Sequence, residues 1–169
     1  PRIQALAEQG DWVGAFNLAV EAEERLPDDP VLKGLFEQVA VTMDFVTEPP
    51  GAEVYYRRYS DSAADWQSLG KTPLTGVRLP KSVSSWRFEK TGFELAERSG
   101  EPFDGTYRVE LAAGSLPESL VRVPATERYF LLTGYVPGVQ AVPTFLAQRH
   151  EVTNAEYADF VRAGGYENP

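Results

Sequence analysis

The sequence predicts an α+β chain made of an N-terminal helical hairpin, a central antiparallel β-sandwich and the start of a second α+β domain. Three observations predict it. Apolar residues recur at helical spacing as far as Ala40, the period switches to two from Val41 to about Leu111, and a strand-like run enters a capped helix between Phe145 and Tyr166. The expected segments are 1–40, 41–113 and 117–169.

In the first segment Trp12, Ala15, Phe16, Ala19, Ala22 and Leu26 share one helical face, and Leu32, Leu35, Phe36 and Val39 share another. Gly10-Asp11 supplies a terminating glycine and then an N-cap. Asp29-Pro30 places a capping carboxylate before a proline at the first helical position, where a missing N–H costs nothing. The helices are expected over 2–9, 12–26 and 30–40. Trp12 is expected in the core, because an aromatic on an apolar helical stripe generally packs inward.

In the second segment Val41, Met43 and Phe45 alternate with Thr42 and Asp44. Trp86 and Phe88 alternate with Arg87 and Glu89, and Tyr107, Val109 and Leu111 with Arg108 and Glu110. Turn chemistry at Glu48–Gly51, Leu69–Pro73, Pro80–Ser82 and Thr91-Gly92 divides this region into about six or seven short strands. A linker is expected from about Leu111 to Leu116. Strand periodicity then restarts in Leu116–Ala125. Thr153-x-x-Glu156 is a capping box, so a helix is expected from Asn154 or Ala155 to Ala163, ended by Gly164-Gly165. Its apolar residues Tyr157, Phe160 and Val161 call for a larger core than this segment offers. With Pro rather than Met at residue 1, the expectation is a piece of a longer protein.

Composition narrows the function classes. A net charge of -9 disfavours nucleic acid and anionic membrane surfaces as partners, since phosphate binding is driven by Lys and Arg releasing counterions. The absence of Cys removes disulfides, thiolate nucleophiles and thiolate metal sites, and leaves the compartment open. The apolar stretch Phe130–Leu146 is interrupted by Gly134, Pro137, Gly138 and Pro143, so no direct membrane insertion is expected. The single histidine, His150, has no clustered partners and is expected to pack or hydrogen-bond rather than bind metal. Asp28 and Asp29 belong to a helix start, and Glu23 and Glu24 to a solvated helix face. Asp61 and Asp65 lack the alternation of a calcium loop. There is no Gly-x-Ser-x-Gly elbow and no phosphate-cradling glycine loop opening a helix. No catalytic, cofactor-binding or metal-binding residue is therefore assigned.

Three stretches carry resemblances. Gly10-Asp11-Trp12-x-x-Ala15 with Ala19, Ala22 and Pro27-Asp-Asp-Pro30 resembles one tetratricopeptide repeat, which alone must pack on another element, such as the following sheet. Pro49-Pro-Gly-Ala-Glu-Val54, Leu69-Gly-Lys-Thr-Pro-Leu74, Gly76-Val-Arg-Leu-Pro80 and Trp86-Arg-Phe-Glu-Lys-Thr-Gly-Phe93, in that order, resemble a PEGA domain. Gly51 is expected at positive φ in the first of these turns. Val121-Arg-Val-Pro-Ala125, then Glu151-Val-Thr-Asn-Ala-Glu-Tyr157 through Ala163-Gly-Gly-Tyr166, resembles the beginning of a formylglycine-generating, sulfatase-modifying-factor domain. That resemblance implies copper and paired cysteines farther along a parent protein, and none of that chemistry falls on a residue of this chain. The order of all three resembles the region between the kinase and the formylglycine-generating-type domain of bacterial serine/threonine kinase fusions.

Against a minimal PEGA domain the chain carries an insert, Tyr59–Ser68. Trp66 in this insert, with Tyr55, Tyr56, Arg58 and Tyr59 of the adjoining strand, forms the candidate partner-binding set, because flat aromatics beside cations make good contact surfaces for a protein or a polysaccharide. The reading preferred for Trp66 itself folds it back over one edge of the sandwich, because large aromatics are mostly buried. The functional expectation is a non-catalytic spacer and recognition module. The alternative is a structural part of a sulfatase-modifying oxidase.

Overall fold

Side-chain caps set the first helices of this computed structural model, which describes residues 2–125 and 141–167. Helix α1 (Arg2–Glu8) is followed by α2 (Trp12–Arg25) and α3 (Pro30–Val39), each end within a residue of expectation. The Asp11 carboxylate accepts from Gly14 N–H at 2.9 Å, and that of Asp29 accepts from Val31 and Leu32 N–H, both at 2.9 Å. Ala15 and Ala19 are completely buried, and their small side chains let α1 and α3 close on α2 around Ile3, Leu32, Phe36 and Val39. Leu26 was expected on the packed face but is exposed. It is the C-cap, where the helical phase is already lost.

Strand β1 (Ala40–Glu48) follows α3 with no intervening residue. It is followed by β2 (Glu53–Arg58), β3 (Gln67–Lys71), β4 (Leu74–Pro80), β5 (Ser84–Glu89), β6 (Ala96–Gly100) and β7 (Gly105–Glu110). They form a three-stranded sheet, β4-β1-β7, and a four-stranded sheet, β3-β2-β5-β6. The two sheets share a core of Met43, Phe45, Val54, Leu79, Trp86, Phe88 and Val109. Phe45 is its aromatic centre, 6.1 Å from the Trp86 ring and 6.2 Å from those of Phe88 and Tyr107.

The expected all-antiparallel pairing is corrected at one edge, where β7 runs parallel to β1. Alternation tells which residues face the core but not strand direction. The chain reaches β7 from the other sheet, not through a hairpin, so no turn imposes antiparallel order.

Two threonines fasten the turns. Thr47 Oγ1 donates to Pro49 O at 2.9 Å, so Thr72 must donate the 2.5 Å hydrogen bond between the two hydroxyls. Thr72 Oγ1 in turn accepts from Gly51 and Ala52 N–H, both at 3.0 Å. Gly51 has φ +89°, as expected for this turn, a region that other residues avoid.

The helices rest on the β4 side of the sandwich. Arg78 of β4 forms a two-pronged ion pair with Glu23, and its guanidinium lies 4.2 Å from the Phe36 ring centre. Lys81 Nζ donates to Glu37 O at 2.9 Å and Lys81 N–H to Val39 O at 3.1 Å. Glu23 was expected on a solvated face; it meets the sheet because α2 runs alongside β4. The helices and sandwich together make one compact unit ending at Ser115, and a second unit begins at Leu116. The expected linker is shorter than read: Leu111 is buried, and Glu94 N–H and Gly114 N–H bond to Ala112 O and Gly92 O.

In the second unit β8 (Leu120–Val123) pairs antiparallel with β9 (Phe145–Gln148), and α4 spans Asn154–Arg162. The capping box is present, with Glu156 N–H donating to Thr153 Oγ1 at 3.2 Å and Thr153 N–H to Glu156 Oε2 at 2.8 Å. Tyr157, Phe160 and Val161 are exposed. The part of the Phe130–Leu146 stretch before Ala141 lies outside the described residues.

Candidate functional site

Strand parity builds the site. Val54 and Tyr56 of β2 point into the core, so Tyr55 and Arg57 point outward. In β5 Trp86 and Phe88 point inward, which turns Ser85, Arg87 and Glu89 out. Register then aligns two rows on the outer face of the four-stranded sheet. One row is Tyr55, Arg87 and Glu97; the other is Arg57, Ser85 and Ser99.

The loop between β2 and β3 carries Trp66 over this face. Arg57 Cζ lies 4.3 Å from the centre of the indole and Arg87 Cζ 5.6 Å. The loop is tied down by Arg57 Nη1, which donates to Ser62 O at 2.7 Å, and by Tyr59 N–H, which donates to Val83 O at 3.1 Å. Arg87 Nε sits 3.1 Å from Glu89 Oε1 and 3.5 Å from Glu97 Oε1, so its charge is matched. Among the described residues Arg57 has no carboxylate in ion-pair contact, and its Nε has no hydrogen-bond partner. Beside the stack runs a groove of about 390 Å³, bordered by Arg57, Tyr59, Ser62, Trp66 and Glu97. Its remaining border is the pair Ser85 and Ser99, whose hydroxyls are 2.9 Å apart.

The expected contact set is only partly assembled here. Trp66 and Tyr59 border the groove, and Tyr55 is half-buried on the same outer face. Tyr56 is corrected to a core residue, 7% exposed, because its parity matches Val54. Burial pushes its hydroxyl pKa up, and although Ser84 and Ser82 lie near, the hydroxyl makes no hydrogen bond of good geometry. Arg58 shares that inward parity but sits past the end of the core, exposed and 3.8 Å from Asp61. Trp66 covers the sheet's outer face, with its ring on two guanidinium groups rather than an apolar edge. Sequence reading places Arg57 on the strand beside Trp66 but chooses Arg58 for the contact set, and it misses Arg87, Ser85, Glu97 and Ser99. The alternation that buried Trp86 and Phe88 was the available signal for Arg87, and Val54 was the signal for choosing Arg57 over Arg58.

A second depression, of about 570 Å³, lies where the helices meet the sandwich, lined by Trp12, Val41, Lys81, Val83, Glu101 and Pro102. Trp12, expected in the core, is half-buried here instead. Among the described residues no three His, Asp or Glu side chains are grouped to hold a metal ion, and no helix is long and apolar enough to cross a membrane. His150 is exposed. No protein-family model matches the chain, and no curated protein or solved structure matches it.

Proposed function

We propose that this chain is a non-catalytic spacer and recognition module of a larger multidomain bacterial protein, and that it meets its partner on the outer face of the four-stranded sheet. The observation that carries this reading is Trp66 held over Arg57 and Arg87 beside an open groove. A large aromatic kept out of the core on an anchored loop, next to a cation with no carboxylate partner among the described residues, is the composition of a contact surface rather than of a fold-stabilising cluster. The spacer role draws support from the direct passage of α3 into β1 and from the Glu23–Arg78 clamp, which hold helices and sandwich as one body. For the parent, the order of the three resemblances supports a serine/threonine kinase fused to a formylglycine-generating-type domain.

The test uses the whole chain, a glycan array and a displayed peptide library. A ligand from either source should bind wild type and lose at least about tenfold in affinity with Trp66→Ala, while far-UV circular dichroism and the unfolding midpoint stay unchanged. Ligands indifferent to Trp66→Ala would remove this face as the recognition surface.

A second reading makes the chain a structural part of a sulfatase-modifying oxidase. It is favoured by the exposed row Tyr157, Phe160 and Val161 on α4, the kind of face that a larger domain core covers. Paired cysteines in the reading frame beyond Pro169 would support it, and their absence would remove it.

A further inference from the structure

We infer that the ligand of the outer-face groove is a carboxylate-bearing saccharide, with its acid group on Arg57 and its ring hydroxyls on Ser85, Ser99 and Glu97. This inference rests on the recognition reading above and gives it a chemical class.

The acid group follows from charge. Among the described residues Arg57, the cation that lines the groove, has no neighbouring carboxylate to match its charge, whereas Arg87 beneath Trp66 is matched by Glu89 and Glu97. A guanidinium presents donors in a planar fork that fits a carboxylate two at a time; Arg57 Nε is buried, so the fork a ligand meets is the Nη end, where Nη1 gives one of its protons to Ser62 O. The indole, its centre 4.3 Å from Arg57 Cζ, holds the guanidinium in place and keeps water from one side of it. Both effects raise what a single ion pair contributes over its value at an open surface.

The saccharide follows from the rest of the lining. Ser85 and Ser99 hold two hydroxyl protons and spend one on each other, so one proton and several lone pairs remain for a ligand. The Glu97 carboxylate offers acceptors only, which suits sugar hydroxyls. Tyr59 and Trp66 supply flat surface for the C–H side of a ring. Among the described residues no aliphatic side chain borders the groove, so a peptide would find no place there for apolar side chains. The volume of about 390 Å³ falls within the roughly 300–1,000 Å³ usual for small-ligand sites.

The experiment is isothermal titration of the whole chain with trigalacturonate and with its methyl ester, which keeps the rings and hydroxyls but removes the charge. The acid should bind about tenfold or more tightly than the ester, and the difference should shrink in high salt. Arg57→Gln should bring the two ligands level, Arg57→Lys should recover part of the gap, and a Ser85→Ala, Ser99→Ala double variant should weaken both ligands together. Circular dichroism of each variant separates lost binding from lost fold. Equal binding of acid and ester by wild type, or no binding of the acid at millimolar concentration, overturns the inference. A peptide that binds in a Trp66-dependent way while trigalacturonate does not would overturn the saccharide and leave the recognition reading standing. If neither ligand class binds through Trp66, both fall.

Discussion

Thr72 shows how much of this fold hangs on a single hydroxyl. It accepts from two backbone N–H groups of the Pro49–Ala52 turn and donates to Thr47, at a site only 4% exposed. Thr72→Val keeps the shape but strands the Ala52 N–H, so it should cost about 1–3 kcal/mol in urea unfolding, with Thr72→Ser nearly neutral. Tyr56 makes the opposite case. Its hydroxyl is buried without a well-formed hydrogen bond, so Tyr56→Phe should leave stability unchanged or raise it by up to about 1 kcal/mol, while Tyr56→Ala should cost about 3–5 kcal/mol. A loss above about 1 kcal/mol for Tyr56→Phe would show a partner for that hydroxyl. At this scale the sequence was legible where one residue type has one use: Asp11 and Asp29 as caps, Gly51 at positive φ, Thr153 with Glu156. It was not legible for the contact set, because Tyr55, Tyr56, Arg57 and Arg58 are all plausible on a surface. Only the burial of Val54 decides which pair faces out.

Among elements, the helical layer is joined to the sheet through the Glu23–Arg78 ion pair, and this makes the junction sensitive to acid. The hydrogen bond from Arg78 holds the Glu23 carboxyl below its ordinary value of 4.5. A group depressed on folding stabilises fully above its unfolded pKa, and the contribution is lost as pH falls through the lowered folded value. Wild type should therefore lose junction stability below about pH 4.5, whereas Glu23→Gln should be weaker at neutral pH and flatter across that range. Amide exchange of α2 and β4 against pH measures it, and parallel curves for the two proteins would contradict it. Element types and helix ends were legible, since periodicity and caps are local. The pairing of β7 with β1 was not, because side-chain alternation is the same in parallel and antiparallel strands. Nor was the fate of Glu23, which looks solvated in any helical projection until a sheet lies beside it.

For the whole molecule, the compact unit ending at Ser115 holds α1 to α3, both sheets of the sandwich and the groove. Residues 1–115 expressed alone should unfold cooperatively, at the temperature of the corresponding transition in the whole chain. An unfolded or non-cooperative fragment would show that the second unit is required. The recognition account makes its own demand on the same unit, since ligand binding must register on one face of one sheet. The most direct measurement is a ¹⁵N nuclear magnetic resonance titration of the whole chain with trigalacturonate and with any ligand selected from the glycan or peptide collections. The account predicts shifts concentrated at Arg57, Ser62, the Trp66 indole, Ser85 and Ser99. Shifts gathered elsewhere, with those five silent, would contradict it.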